Sequence, residues 1–221
     1  MRRILVVLVM LVMAAAPVAA QEPKTDQDKT LYALGVAMAN QLSQFSLTPA
    51  EFEMVKSGLS DAVLNKPHKA EPREYMGKIQ ELRTQRAQVV AAAEKKSGDA
   101  FVAKAAGEPG AKKLESGVII TTLKPGTGPT PKATDKVKVH YHGTLADGSV
   151  FDSSVVRKEP ATFPLNNVIP CWTEGVQLMK VGGKSKLVCP AALAYADRGA
   201  PPRIKPGATL VFEVELLEIV K

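Results

Sequence analysis

Aromatic residues are scarce in this sequence, and it contains no basic stretch with interleaved aromatic residues. Phenylalanine, tyrosine and tryptophan make up 5% of the 221 residues, and tryptophan occurs once. We therefore expect the few aromatic residues to have specific roles. The net charge is +7. Without a clustered basic patch this charge indicates a solvated basic surface, and we predict no nucleic-acid partner.

Long apolar runs are absent beyond residue 20. The chain starts with Met1-Arg2-Arg3, continues with an apolar run from Ile4 to Met13, and reaches small residues up to Ala20. The run is too short to cross a bilayer, and the whole pattern predicts a secretory signal peptide over residues 1–20. An uncleaved anchor is the alternative. After signal cleavage we expect an exported protein without a membrane span.

The sequence after the predicted signal peptide indicates two short helices. Residues 21–29 are polar, and we expect them to be disordered. Thr48-Pro49-Ala50-Glu51 has the residues of a capping box with proline at the first helical position, so a second helix should start there. Apolar residues recur at the spacing of one helix face: Leu31, Leu34, Met38, Leu42 and Phe45 in the first helix, and Phe52, Val55, Leu59 and Val63 in the second.

A third, much longer helix is predicted after Pro72. No proline occurs from Arg73 to Gly107, and a helix over that stretch would be about 50 Å long at 1.5 Å per residue. Two short helices cannot cover it. We therefore predict that residues 30–106 form a helical dimerisation domain, with the third helix as its stalk; a monomeric three-helix bundle is the alternative. The apolar stripe predicted for the stalk consists of Tyr75, Ile79, Leu82, Val89 or Val90, and Ala93.

The rest of the chain predicts a β-rich domain over residues 117–221, after a joint at residues 107–116. From Lys136 apolar residues alternate with the period of a half-buried strand, and Asp147-Gly148 is a strong hairpin signal. A short helix from Thr173 to Met179 and a last strand from Thr209 to Val220 follow. Many strands with one short helix indicate an antiparallel sheet wrapped around that helix.

Several blocks of this domain resemble the FKBP-type peptidyl-prolyl cis-trans isomerases. VHYHGTLADGSVFDSS, VIPCWTEGVQLMKVGGKSKL and ATLVFEVELL follow one another in the order and spacing of that family. Residues 30–106 resemble the helical dimerisation arm of the macrophage-infectivity-potentiator group of secreted bacterial FKBPs. The resemblance implies an α+β protein, in which an N-terminal α-helical arm with a long stalk helix precedes a C-terminal FKBP-like antiparallel β-sheet.

The resemblance also implies an activity and partners. It implies an enzyme that accelerates rotation about X-Pro bonds during the folding of exported proteins, together with a chaperone activity. The expected partners are proline-containing unfolded or partly folded exported proteins, a second copy of the chain bound through the N-terminal helices, and a macrolide as a further ligand. The expected location is the periplasm, or the outer surface, of a Gram-negative-type bacterium. A chaperone or surface-interaction scaffold with a vestigial isomerase pocket is the alternative.

The pocket residues take their roles from the same resemblance. Trp172 would form the floor under the proline ring, while the Ile169 N–H and the Tyr195 hydroxyl would hold the carbonyls on either side of it. The implied catalytic residues are Tyr141, Phe151, Asp152, Ile169, Trp172 and Tyr195, and the implied substrate-binding residues are Arg157, Phe163, Val168 and Phe212.

Asp152 would lie buried at the pocket wall. A buried carboxylate requires partners, and the Tyr141 hydroxyl and Arg157 are the ones implied. His140 and His142 flank Tyr141 in an alternating strand, so they point away from the pocket and are not expected to hold a metal. Bond rotation needs no covalent chemistry, and we expect no cofactor.

Four positions depart from the family pattern. Ala161 stands where an aromatic residue is usual, the loop before Val168 is short, and Cys171 and Ala196 each replace a glycine. The flap that follows, defined here as residues 197–206, lacks an aromatic residue or histidine. One wall of the pocket is therefore thinner, which leaves the affinity for macrolides and the substrate preference open.

The two cysteines lie in the same predicted domain. Cys171 precedes the short helix and Cys189 ends the next strand, so a chain that runs down the helix and back along the strand brings them together. Disulfides persist in exported proteins, and we predict one here. Two separately buried thiols are the alternative.

Overall fold

The computed structural model describes residues 22–220, and the predicted signal peptide lies outside this range. The first helix, α1 (Asp26–Leu42), begins inside the segment that the sequence predicted to be disordered. That prediction is wrong from Asp26 onward, because Thr25 and Asp28 cap the helix. The Asp28 N–H donates to Thr25 Oγ1 at 3.0 Å, and the Thr25 N–H donates to Asp28 Oδ2 at 2.9 Å.

The second helix, α2 (Pro49–Val63), has the predicted capping box. The Glu51 N–H donates to Thr48 Oγ1 at 3.3 Å, and the Thr48 N–H donates to Glu51 Oε2 at 2.8 Å. The same Glu51 carboxylate forms an ion pair with Arg86 of the third helix. Glu51 therefore both starts α2 and attaches it to the third helix.

The third helix, α3 (Pro72–Ala106), is continuous over 35 residues, as predicted. In the C-terminal half its buried face follows the predicted stripe only in part: Ala91, Gly98 and Ala105 are buried and Val90 is half-buried, whereas Val89 and Ala93 are exposed. The reason is that this half of α3 packs against the β-rich domain, where only small side chains allow close backbone approach.

No helix within residues 22–220 combines the length and the hydropathy of a membrane crossing.

The β-rich domain is a seven-stranded sheet in which every pairing is antiparallel, with the order β1-β2-β6-β7-β3-β4 and with β5 paired to β3. Two short helices complete it. The strands are β1 (Ala111–Lys113), β2 (Ile119–Lys124), β3 (Lys136–Leu145), β4 (Val150–Ser153), β5 (Ala161–Pro164), β6 (Lys184–Cys189) and β7 (Leu210–Val220), and the helices are α4 (Ser154–Arg157) and α5 (Pro170–Val176).

The predicted joint does not separate two compact units. The described residues up to Ala39 form one unit, and the chain from Asn40 onward forms another that contains α2, α3 and the sheet. Residues 111–113 of the predicted joint form β1, which pairs with β2. The packing of α3 and the pairing of β1 both join the helical segment to the sheet.

The core lies between the sheet and α5. Alternate residues of β3 and β7 are buried, which confirms the half-buried strand pattern that the sequence predicted. Val176 of α5 is completely buried. Gly148 has a φ of 86° in the turn between β3 and β4, a left-handed conformation that glycine adopts without strain. The predicted fold class is confirmed.

Candidate active site

Five aromatic side chains from five different elements, Trp172 and four others, form a cluster at one end of the core. The Trp172 ring lies 5.5 Å from Tyr141, 5.8 Å from Phe163 and 5.3 Å from Phe212, in each case edge to face. Phe151 packs edge to face on Phe212 at 5.5 Å. Edge-to-face packing suits the ring quadrupoles and fixes the orientation of each ring. The aromatic residues that the sequence singled out for a pocket are thus assembled into one cluster.

The start of α5 places Trp172. Pro170 occupies the first helical turn, where its missing N–H costs nothing. The N–H groups of Trp172 and Thr173 donate to the Ile169 carbonyl at 2.9 and 3.2 Å. Within the described residues, no backbone carbonyl accepts a hydrogen bond from the Ile169 N–H. This N–H is therefore a donor at the edge of the cluster.

A polar network borders the aromatic cluster on the β3–β4 side. The Tyr141 hydroxyl and the Arg157 guanidinium both donate to the carboxylate of Asp152, and Arg157 Nη2 also donates to the Tyr141 hydroxyl oxygen at 3.0 Å. The predicted partners of Asp152 are therefore those that the structure shows. The carboxylate is less buried than expected, since 36% of the Asp152 side chain is exposed.

Two pKa shifts follow from this network. Burial alone would raise the pKa of Asp152, but the hydrogen bonds from Tyr141 and Arg157 outweigh it, and the pKa of Asp152 lies below its ordinary value. Burial, followed by the bond to Asp152, raises the pKa of Tyr141. At neutral pH the network consists of an ionised carboxylate and a protonated phenol.

The remaining predicted residues lie around the same core. Val168, Ile169 and Tyr195 are half-buried and pack against the hydrophobic core that contains Trp172. Ala161, which replaces an aromatic residue, packs there too. Val168 follows a short 3-10 turn over Leu165–Asn167, which is the short loop noted in the sequence.

Two further residues shape the site and were missed by the sequence analysis. Arg203 of the flap donates from Nη1 to the carbonyl oxygen of Phe151 at 3.0 Å. Gly143 of β3 leaves room for two rings, since a Cβ there would lie 2.6 Å from Phe151 and 3.1 Å from Phe212. The only sequence signal for Gly143 is its place in the quoted HYHGTL block. No local pattern points to Arg203, because its partner is far away along the chain.

The Trp172 indole N–H is buried and has no hydrogen-bond partner among the described residues. A buried donor without an acceptor costs about 1–3 kcal/mol, and such exceptions in native structures call for an explanation. The indole is thus oriented by packing and not by a hydrogen bond from its N–H. Its position therefore depends on the surrounding aromatic cluster.

Cys171, directly before Trp172, is bonded to Cys189 at the end of β6. Both cysteines are completely buried, and their Cα atoms are 5.6 Å apart. The disulfide attaches the first turn of α5 to the sheet. The residue adjacent to the centre of the aromatic cluster is thereby fixed by a covalent bond.

The histidines of β3 lie apart from the aromatic cluster. His140 Nδ1 is 3.1 Å from Ser154 Oγ, and His142 Nδ1 is 3.0 Å from Ser153 Oγ. No group of three or more His, Cys, Asp or Glu residues with metal-binding geometry occurs in the described part of the chain. The site thus offers an apolar, aromatic cluster with hydrogen-bond donors at its edge.

Comparison with known proteins identifies the two parts of the chain. Residues 128–217 match the family model of the FKBP-type peptidyl-prolyl cis-trans isomerases, and residues 27–119 match the model of the domain amino-terminal to it. FkpA of Aeromonas hydrophila is 44% identical over 94% of this chain and 81% of its own. The 22 kDa FKBP-type isomerase of Escherichia coli is 42% identical over 89% of this chain and 97% of its own.

Solved structures agree with the sequence comparisons. The crystal structure of FkpA from Escherichia coli matches 89% of this chain and 97% of its own, with a TM-score of 0.67 and 34% identity. A peptidyl-prolyl cis-trans isomerase from Pseudomonas syringae matches 59% of this chain and 96% of its own, with a TM-score of 0.56 and 41% identity.

The fold and the site define a prolyl isomerase domain of the FKBP type, preceded by long helices. The chain belongs to the FKBP-type peptidyl-prolyl cis-trans isomerase family, and it fits the FkpA- and Mip-like group that carries an N-terminal domain. It is a peptidyl-prolyl cis-trans isomerase.

Proposed function

We propose that the aromatic cluster around Trp172 binds the proline ring of unfolded exported proteins and that the isomerase reaction takes place there. The observation that carries this proposal is the set of rings packed edge to face on Trp172. The barrier to X-Pro rotation is about 18–20 kcal/mol because resonance makes the bond partly double. A catalyst has to stabilise the twisted amide more than the planar one.

An apolar pocket supplies this preference by removing water. The planar amide is the more dipolar form and the better hydrated one, so its transfer into an aromatic pocket raises its free energy more than that of the twisted amide. The N–H of Ile169 and the hydroxyl of Tyr195 hold the carbonyls that flank the rotating bond. Asp152 fixes the Tyr141 ring in the pocket wall, because its carboxylate accepts a hydrogen bond from the Tyr141 hydroxyl.

The pH dependence of activity tests the role of Asp152. The pKa of Asp152 is lowered in the folded chain, so its stabilising bonds are fully present above its ordinary pKa of ~3.9 and are lost as the pH falls through the lower folded value. Tyr141 stays protonated through neutral pH because its pKa is raised. We expect kcat/KM for a proline peptide to be constant from about pH 5 to 9 and to fall only in acid.

The control for this profile is Asp152→Asn, which cannot ionise. We expect this variant to have a lower kcat/KM at neutral pH. Its kcat/KM should not fall further in acid through titration of residue 152. A wild-type profile that titrates near neutral pH, or a neutral-pH activity equal to that of Asp152→Asn, would contradict the role assigned to Asp152.

We further propose that the mature chain, from Gln21 onward, is a periplasmic homodimer joined through its N-terminal helices. The supporting observation is that each of these helices has exposed apolar residues. Leu31 and Leu34 of α1 are 59% and 57% exposed, and Val63 of α2 is 69% exposed. Apolar surface of this kind on a soluble protein is typical of interaction sites.

Sedimentation of the mature chain tests the dimer. We expect twice the monomer mass for the wild type and a monomer for the double variant Phe52→Glu/Leu59→Glu, because both side chains are apolar and exposed on α2. Lys124→Glu, at an exposed position of β2, is the control and should remain dimeric. A monomer mass for the wild type at micromolar concentration would refute the proposal.

A chaperone activity is the second function that we propose, with the cleft between the two helical arms of the dimer as the place where a client binds. We expect Phe52→Glu/Leu59→Glu to suppress the aggregation of an unfolded client less well than the wild type while keeping its activity on a short proline peptide. A pocket variant such as Trp172→Leu should lose activity on the peptide and still suppress aggregation. If the wild type and the helix variant suppressed aggregation equally well, the helices would have no part in the chaperone activity.

A further inference from the structure

The C-terminal half of α3 contacts the segment that leads from the flap into β7. Gly98 of α3 faces Thr209, and a Cβ at Gly98 would overlap Thr209 Oγ1 and lie 3.1 Å from its Cβ. Thr209 is itself buried, at 5% exposed. Position 98 therefore accepts no side chain while Thr209 keeps its place. This contact is a close fit between a helix and a segment more than a hundred residues further along the chain.

Two more contacts join the same elements. A Cβ at Gly207 would lie 2.8 Å from the Cα of Ala91, so the two backbones are in direct contact. Glu94 Oε1 lies 2.8 Å from Lys205 Nζ of the flap. The ion pair is partly exposed and contributes little by itself. The backbone contact and the fit at Gly98 are the stronger constraints.

The flap and its ends are connected in turn to the aromatic cluster. The Gly207 N–H donates to the Ala196 carbonyl at 2.9 Å, and the Gly199 N–H donates to the Tyr195 carbonyl at 3.1 Å. Arg203 donates to the carbonyl of Phe151 at 3.0 Å. A displacement of Gly207 by α3 would therefore reach both Tyr195 and Phe151.

Between these contacts, the flap and α3 leave an open space. A cavity of about 1250 Å³ is lined by Pro201 and Pro202 of the flap and by Arg83, Gln88 and Lys95 of α3. The contacts at Ala91, Glu94 and Gly98 are thus local points of attachment beside an open space. Loss of one of them would leave the flap room to move.

From these contacts we infer that the C-terminal half of α3 positions the flap, and through it Tyr195 and Phe151, for the isomerase reaction. Ala91, Glu94 and Gly98 are positioning residues in this scheme, because none of them belongs to the aromatic cluster. The stalk helix then has two roles: it belongs to the helical region, and it also positions residues of the isomerase site. The inference rests on the proposed location of the reaction at Trp172.

The test is a size exchange at the Gly98–Thr209 contact in the full mature chain. Gly98→Ala adds a methyl group against Thr209 and should lower kcat/KM for a proline peptide by about tenfold, since small misplacements in a site cost up to 10²-fold. Thr209→Ala removes the obstructing atoms, so Gly98→Ala/Thr209→Ala should regain most of the activity. Gly77→Ala is the matched control, because a Cβ at Gly77 meets nothing within 4 Å.

Fluorescence gives a readout that a purely structural role would not change in this way. Trp172 is the only tryptophan, so the emission of the folded chain reports on the aromatic cluster. We expect the emission to shift in Gly98→Ala and to return in the double variant. Activity and emission that match those of Gly77→Ala, or a loss that Thr209→Ala does not restore, would overturn the inference.

Thr209→Ala alone keeps the test decisive if Gly98→Ala does not fold. It opens a gap at Gly98 without adding volume near α3, and it should lower kcat/KM about twofold to fivefold. Unchanged kcat/KM in a folded Thr209→Ala chain would then count against the inference. The proposed location of the reaction fails separately, through full activity of a folded Trp172→Leu variant, so the two failures are distinguishable.

Discussion

Trp172→Leu is expected to lower kcat/KM for a proline peptide by about 10- to 100-fold. The side chain is 4% exposed and lies at the centre of the aromatic cluster. Its replacement removes the apolar surface against which the proline ring would pack. Loss of such a contact corresponds to about 1.5–3 kcal/mol of binding in the transition state.

The choice of leucine is important because Trp172 is also a core residue. Truncation of a buried tryptophan to alanine costs about 3–5 kcal/mol, which is a large part of the stability of a typical domain. An alanine variant would thus mix loss of fold with loss of catalysis. Leucine keeps apolar volume in the core while it removes the indole.

A matched control separates stability from catalysis. Val176 lies on the same helix and is completely buried, but it is not among the rings of the pocket. Val176→Ala should lower the unfolding midpoint in urea and leave kcat/KM within about twofold of the wild type at a temperature where the chain is folded. If Trp172→Leu retained full activity under those conditions, the reaction would have to take place elsewhere in the chain.

The strands and the hydrogen-bond partners of Asp152 were predictable because their signals are local. The alternation from Val137 to Tyr141 and the Asp147-Gly148 turn place β3 and β4 in register, which brings Asp152 opposite Gly143. The partners of Asp152 lie within a short stretch of chain. Family resemblance then added the role of each residue, which periodicity alone does not provide.

The buried face of α3 was not predictable in the same way. A stripe of larger apolar residues suggests a core face, yet Tyr75 and Ile79 are exposed, whereas Gly98 and Ala105 are buried. Small residues carry little hydrophobic signal, and the surface that they contact is built from segments distant in sequence. Helix periodicity indicates that a face exists, but the fit to a particular partner depends on the tertiary structure.

Reduction of the disulfide between Cys171 and Cys189 is expected to lower the stability of the chain. Cys171 and Cys189 are separated by 18 residues and are completely buried. A cross-link over a loop of that length removes unfolded-state entropy worth about 3 kcal/mol in the chain-entropy model. Reduction of the mature chain should therefore lower its free energy of unfolding by about this amount and its Tm by roughly 6–12 °C.

Thiol counting comes first. Protein purified from the periplasm, denatured without reductant, should contain no free thiol, and two free thiols per chain would rule the bond out. The Cys171→Ala/Cys189→Ala variant should unfold at the lower midpoint with or without reductant, whereas the wild type should reach that midpoint only when reduced. Because Cys171 adjoins Trp172, we also expect the tryptophan emission of the folded wild type to change on reduction. An unchanged emission would mean that ring packing holds Trp172 in place without the covalent bond.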